Sequence, residues 1–236
     1  MNTQSGHNRK GKFSLKAISF FLIAFVFCCC STPDEKQNRD SAASSSGADT
    51  TQLVFGGPCD QCETMYEGMP QLNTINWKTT LVSDADEGER LMLTGKVFMN
   101  DGKTPAPNIV LYFHHTNAEG YYAPSDTQVY AKKDGHFRGW IKTNSNGEFM
   151  LNTIRPAPYP GQDNPAHIHV LVKEPGKIHY YIDEIWFDDD SLITDVLKTK
   201  SEKRGGNMII HLDKTGNGEW SGHVDIVLGF NIPDYK

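Results

Sequence analysis

The sequence predicts a mainly β domain with one short helix, and three observations carry that expectation. Short apolar runs recur from residue 91 onward, Gly, Asn and Pro clusters divide them, and one segment alone has the charge signature of a helix. Short strands separated by such turns fold as a sandwich or a barrel.

Residues 1–30 look like an export signal. Arg9, Lys10, Lys12 and Lys16 form a positive stretch without an acid, and the apolar run Ala17–Phe27 follows. That run falls short of the ~20 residues a spanning helix needs and sits where a signal keeps its hydrophobic stretch. Cys28, Cys29 and Cys30 come next, which resembles a bacterial lipoprotein signal, where the mature chain starts at a lipidated cysteine. Phe27 departs from the small residues such signals keep there, so an ordinary cleaved signal or a short anchor stands as the alternative. Residues 31–51 hold the Ser41–Gly47 stretch and almost nothing apolar. They bury too little surface to offset their ordering entropy and read as a flexible tether.

The remainder, 52–236, is expected to be one domain of roughly 185 residues, enough to bury about 70% of its unfolded surface. Hydrophobic content of 38% with 11% aromatic residues excludes disorder for this body. The chain carries a formal charge of −6, and the four bases of the first 30 residues leave −10 on the rest. An acidic, exported body excludes nucleic acid as a partner, which needs clustered Lys and Arg. Cys59 and Cys62 are the two cysteines beyond the signal. In a reducing compartment this CxxC spacing points to redox or zinc chemistry. Outside the inner membrane, with no second Cys or His pair nearby and no βαβ pattern, a small disulfide is the simpler expectation.

Strands are expected in order along the body. Leu91–Met99 ends at the turn Asn100–Lys103, and Asn108–His115 is nearly continuously apolar, as a strand buried on both faces should be. Gly147–Thr153 follows a second turn, while Ala166–Lys173 and Ile178–Phe187 are joined by Glu174-Pro-Gly-Lys, a hairpin connection. Asn207–Leu212 and Gly218–Phe230 flank a turn that begins at Asp213. The one helix is expected over Asp190–Lys200, with Asp at its start and Lys at its end to match the helix dipole.

His167-Ile168-His169 is the sharpest local signal. In a strand, residues i and i+2 share a face with Cα atoms about 6.6 Å apart. Two imidazoles at that spacing converge on a metal with M–N near ~2.1 Å, and Ile168 turns to the opposite face. Taken alone, the pair reads equally well as two hydrogen-bonded structural histidines.

The surroundings resemble the intradiol ring-cleavage dioxygenase family. Asn117–Pro124 contains Gly120-Tyr121-Tyr122, Thr153–Pro160 contains Tyr159 in a TIRPAPYP turn, and Asn164–His169 ends in PAHIH. The likeness runs from about Leu93 to Phe187 and takes in Phe137–Trp140 and Asn146-Gly147. It implies an antiparallel β-sandwich with one short helix. It also implies one non-haem ferric ion held by Tyr122, Tyr159, His167 and His169, with Tyr122 and Tyr159 also catalytic and Arg138 positioning substrate. A free tyrosine, with its pKa near ~10, costs about 4 kcal/mol to hold as phenolate at neutral pH, and ferric iron supplies that stabilisation. The implied reaction opens a catechol-like ring between its two hydroxylated carbons with O₂, giving a diacid. The implied partners are a small aromatic diol, O₂ and, through a lipid anchor, a membrane; oligomer formation stays open. The helical N-terminal dimerisation segment of catechol-specific members has no counterpart in this sequence.

Bland readings stand beside these. Tyr159 can be a turn aromatic, Tyr121 can replace Tyr122 as ligand, and His114 and His115 can be pocket residues or plain neighbours. His136 has no assigned place, and Asp188-Asp189-Asp190 reads as a helix start with solvated acids rather than a calcium site. Arg138 can equally be structural. Ring-cleaving members keep an arginine three residues before the first histidine, where this chain has Asn164. That departure sets a non-catalytic β-sandwich binding module beside the enzyme as the second hypothesis; a CxxC redox accessory is the third.

Overall fold

The computed structural model describes residues 56–59 and 61–236. The signal, its three cysteines and the tether lie outside the described residues. Along the described chain a 3₁₀ turn (Cys62–Tyr66) precedes β1 (Lys78–Thr80), β2 (Arg90–Phe98) and β3 (Val110–His115). A second 3₁₀ turn (Lys132–Asp134) leads to β4 (Arg138–Lys142), β5 (Glu148–Ile154) and β6 (His167–Lys173). Then come β7 (His179–Tyr181), β8 (Ile185–Phe187), α1 (Asp195–Lys200), β9 (Ile209–Ile210), β10 (Leu212–Lys214), β11 (Trp220–His223) and β12 (Ile226–Val227).

The strands form two sheets, one ordered β1-β5-β2-β11-β10 with β12 also on β2, the other β4-β3-β6-β8-β9 with β7 also on β6. Alternation sets their facing. In β2 the residues Leu91, Leu93 and Val97 are buried between exposed or half-exposed neighbours, while Leu111, Phe113, Ile168, Val170 and Val172 answer from β3 and β6. Phe113 and Phe149 meet across the gap with ring centroids 5.8 Å apart. A second, smaller cluster lies on the other face of the β3–β6 sheet, where Cys62, Met65 and Ile75 cover Val110, Tyr112 and Leu171. So β3 is buried on both faces, as its unbroken apolar run predicts.

Three expectations need correction. The sheets are mixed rather than purely antiparallel: β1 pairs parallel to β5, β11 and β12 parallel to β2, and β9 parallel to β8. Each parallel pair joins strands distant in sequence, so no local turn announces it. The long apolar runs are also broken. Ile178–Phe187 becomes β7 and β8, both laid on β6, because the Asp183 carboxylate turns away to accept from Ser201 Oγ (2.7 Å) and Lys203 N (2.8 Å). Likewise Asn207–Leu212 divides between β9 and β10. Gly218–Phe230 divides at Asp225, whose carboxylate replaces a backbone acceptor for Lys96 N (3.1 Å). Finally, the helix starts at Asp195, capped by Thr194 Oγ1 accepting from Leu197 N (3.2 Å). Asp190 is used elsewhere: its carboxylate accepts from Ala166 N (2.8 Å) and Leu192 N (2.9 Å), fixing the start of β6.

Candidate metal centre

β6 displays its residues as a strand must. Ile168 enters the sandwich core, while His167 and His169 project from the outer face. Two loops bring phenols to the same place. After β3, Asn117 Oδ1 accepts from Glu119 N (3.1 Å) and Tyr121 N (2.9 Å), closing a compact turn that presents Tyr122. After β5, residues 155–160 carry Tyr159. The loops are stitched by Thr116 Oγ1 donating to Ala157 O (2.7 Å) and Ala157 N donating to Asn117 O (3.1 Å). Gly120 sits at their closest approach with φ +86°; a Cβ there would lie 2.1 Å from Pro158 O.

Four polar atoms converge as a result. Tyr122 Oη lies 2.8 Å from Tyr159 Oη, which lies 3.1 Å from His167 Nε2 and 3.4 Å from His169 Nε2; the two imidazole atoms are 3.2 Å apart. Donors held about 2.0–2.1 Å from one metal at right or tetrahedral angles are about 2.9–3.4 Å from each other, so the spacing fits a shared ion. Tautomer chemistry agrees. His167 Nδ1 faces Pro165 O at 2.6 Å, which places the proton on Nδ1 and leaves Nε2 a lone pair. His169 Nδ1 points toward Glu184 Oε1 at 3.7 Å, leaving its Nε2 to face the cluster. Two lone pairs at that separation repel unless a cation lies between them. Burial pushes the Tyr122 hydroxyl well above the ordinary phenol value, raises that of Tyr159 and lowers His169 well below the ordinary imidazole value. The two phenols by themselves therefore keep their protons, and a strong Lewis acid is what would turn them into phenolates here.

The other candidates fall elsewhere. Tyr121 is 55% exposed and turned out to solvent. His115 is fully buried, bonded through Nδ1 to Thr116 O and through Nε2 to Thr153 Oγ1 (both 2.7 Å), and burial lowers it to about 4. His136 pairs with Asp86 at 3.1 Å. The three acids part company: Asp188 meets His211, Asp189 takes Arg155 with two bonds of 2.7 and 2.9 Å, and Asp190 holds β6. Arg138 is committed to structure, donating to Tyr112 Oη (2.6 Å), Thr64 O (3.2 Å) and Glu67 O (2.8 Å), and lying over Trp140. Asn164 is exposed. Cys59 and Cys62 form a disulfide with Cα atoms 5.6 Å apart.

Of two neighbours of the cluster, the sequence offers His114 as a candidate pocket residue, and Glu184 escaped it. His114, paired with His169 in register, stacks on it with centroids 4.6 Å apart. Glu184 stands in the break between β7 and β8, and an acid inside the aromatic run IHYYIDEIWF was its one signal.

This fold and this donor set define a class that comparison with known proteins supports. A family model described as "Dioxygenase" matches residues 69–228, and the chain belongs to the intradiol ring-cleavage dioxygenase family. Among curated relatives, catechol 1,2-dioxygenase of Acinetobacter baylyi is 33% identical over 105 residues, covering 38% of this chain and 33% of the relative. The protocatechuate 3,4-dioxygenase beta chain of Burkholderia cepacia is 28% identical over 183 residues, covering 72% of this chain and 77% of that one. The chain spans a third to about half of the length of the catechol relatives it matches. The solved catechol 1,2-dioxygenase of Pseudomonas arvilla C-1 aligns over 67% of this chain and 59% of its own, with a TM-score of 0.50 and 19% identity, which speaks to the fold alone.

Proposed function

We propose that this chain is a ferric dioxygenase that opens a catechol-like ring between its two hydroxylated carbons. Its balance is one diol plus one O₂ giving one diacid. The convergence of two phenols and two imidazoles, each donor atom within 3.4 Å of Tyr159 Oη, carries the proposal, because a pure binding module has no use for that donor set. Tyr122, Tyr159, His167 and His169 would hold the ion, which when bound supplies a Lewis acid that favours phenolate over phenol and draws electron density from a bound catecholate. The protein's own part is positional and protonic. Asp190 fixes the start of β6, the Pro165 carbonyl orients His167, the stacked His114 ring supports His169, and Gly120 lets the two tyrosine loops close. Tyr159 Oη, adjacent to the three other donor atoms, is the group placed to take a proton from an incoming diol. The lysine-rich start, the apolar run Ala17–Phe27 and Cys28–Cys30 support export and a lipid tether, with the body held at a membrane through residues 31–51.

Purified from iron-replete cells, the protein should carry close to one iron per chain and be coloured by tyrosinate-to-iron charge transfer. Tyr159→Phe should shift that band and His167→Ala should abolish iron retention. Catechols should then perturb the band and be consumed with O₂. A colourless, iron-free protein removes the proposal. Asn164, standing where an arginine is kept, favours a second reading, a metal-bearing module without turnover; colour indifferent to every catechol would support it.

A further inference from the structure

A cavity of about 210 Å³ adjoins the donor cluster at His169 and His114. Its floor is the outer face of β6, its roof is the disulfide-closed turn with Cys59, Gln61, Cys62 and Thr64, and its sides bring Asp134, Tyr181 and Glu184. Two of these are carboxylates, and no Lys or Arg is among the described residues that line the space. Asp134 is only 6% exposed. One oxygen, Oδ2, accepts from Tyr112 Oη at 2.5 Å, while Oδ1 makes no hydrogen bond to the described residues and is not sealed from solvent. The Arg138 guanidinium donates to the Tyr112 oxygen rather than to the acid. A largely buried carboxylate such as Asp134 favours a donor or a cation beside it. His114 contributes a second unmet polar atom on the same wall, its buried Nδ1. The roof is firmly seated, since Trp140 Nε1 donates to Met65 O (2.7 Å) and Met65 is fully buried, so the space is a fixed feature of the fold.

We infer that this cavity selects catechols by charge, admitting rings with an ammonium-bearing substituent ahead of neutral ones and rejecting rings with a carboxylate. The inference rests on the dioxygenase reading and names its substrate class. An ammonium group placed here meets the carboxylates of Asp134 and Glu184, whereas a carboxylate meets two like charges. Asn164, exposed and uncharged, supplies no compensating cation.

The test uses three catechols that differ only at the ring substituent: protocatechuate, 4-methylcatechol and dopamine. Dissociation constants are measured anaerobically with the iron-loaded protein, then kcat/KM in air. Dopamine should bind at least about tenfold tighter than protocatechuate at low salt, and the gap should narrow as salt rises. Asp134→Asn and Glu184→Gln should each shrink the ratio. Gln61→Lys, an exposed change that adds a cation to the same wall, should raise affinity for protocatechuate with both acids left in place. Protocatechuate binding equal to or tighter than dopamine, or a ratio indifferent to all three substitutions, overturns the inference while leaving the dioxygenase intact. Failure of every catechol to bind or react overturns both, and the iron content and colour of the protein show whether the metal site itself was at fault.

Discussion

Replacing Gly120 with alanine tests how the centre is assembled. Its backbone has φ +86°, a region that costs an L-residue about 1–2 kcal/mol. The added Cβ would lie 2.1 Å from Pro158 O and 2.9 Å from Pro160 Cδ, so the tyrosine loops must separate by roughly 1 Å to restore ordinary contact. Metal sites tolerate only about 0.2 Å of error in ligand distance. Tyr122 and Tyr159 sit on opposite sides of this contact with their oxygens 2.8 Å apart, so the displacement falls on the centre. Together the backbone and contact terms should cost about 2–4 kcal/mol, lowering Tm by roughly 5–15 °C for a domain of this size. The assays are iron content per chain, the charge-transfer band, and thermal unfolding in chelator. Gly161→Ala is the matched control: its φ is +72°, but nothing lies within 4 Å of the added atom, so it should lose about 1 kcal/mol and keep its iron. A Gly120→Ala protein with full iron, unchanged colour and native Tm would refute the claim that this contact sets the two phenols together.

Asp190→Ala removes the acceptor for Ala166 N and should cost about 1–3 kcal/mol, with weaker iron retention, read by chelator competition. His115 is buried neutral and held near 4, below its unfolded value of about 6.5, so its contribution is present above that value and lost as pH falls toward 4. Denaturation midpoints should therefore drop between about pH 6.5 and 4, and His115→Gln should flatten that slope; a slope unchanged by the substitution points to other groups. Reducing Cys59–Cys62, or replacing both with serine, should lower stability by about 2 kcal/mol, measured by urea unfolding with and without reductant.

Much of the centre was legible because its determinants are local. HxH on a strand dictates a shared face, and the flanking Pro, Gly and Asn residues dictate tight loops around Tyr122 and Tyr159. Both-face burial of β3 could be read from NIVLYFHH for the same reason. What escaped depends on contacts between distant segments. Nothing near Asp190 announces that its carboxylate will cap β6 rather than a helix, since its partner lies 24 residues earlier. Parallel pairing of β2 with β11 carries no turn signature, and Glu184 reads as an ordinary strand residue until the β7–β8 break turns it toward His169. Arg138 showed the opposite failure: a charged residue in a family-like stretch invited a chemical role, yet its donors hold the 3₁₀ turn on the sheet.

The alternation of β6 keeps two jobs apart. Ile168, Val170 and Val172 face the sandwich interior, whereas His167, His169 and Leu171 face a separate cover built from residues near the disulfide. Exchanging that cover would alter which molecules reach the histidines while leaving the interior packing untouched. Selectivity in this protein can therefore be redesigned at the cavity-facing positions of that cover, such as exposed Gln61, with the buried Cys62, Met65 and Ile75 kept as they are.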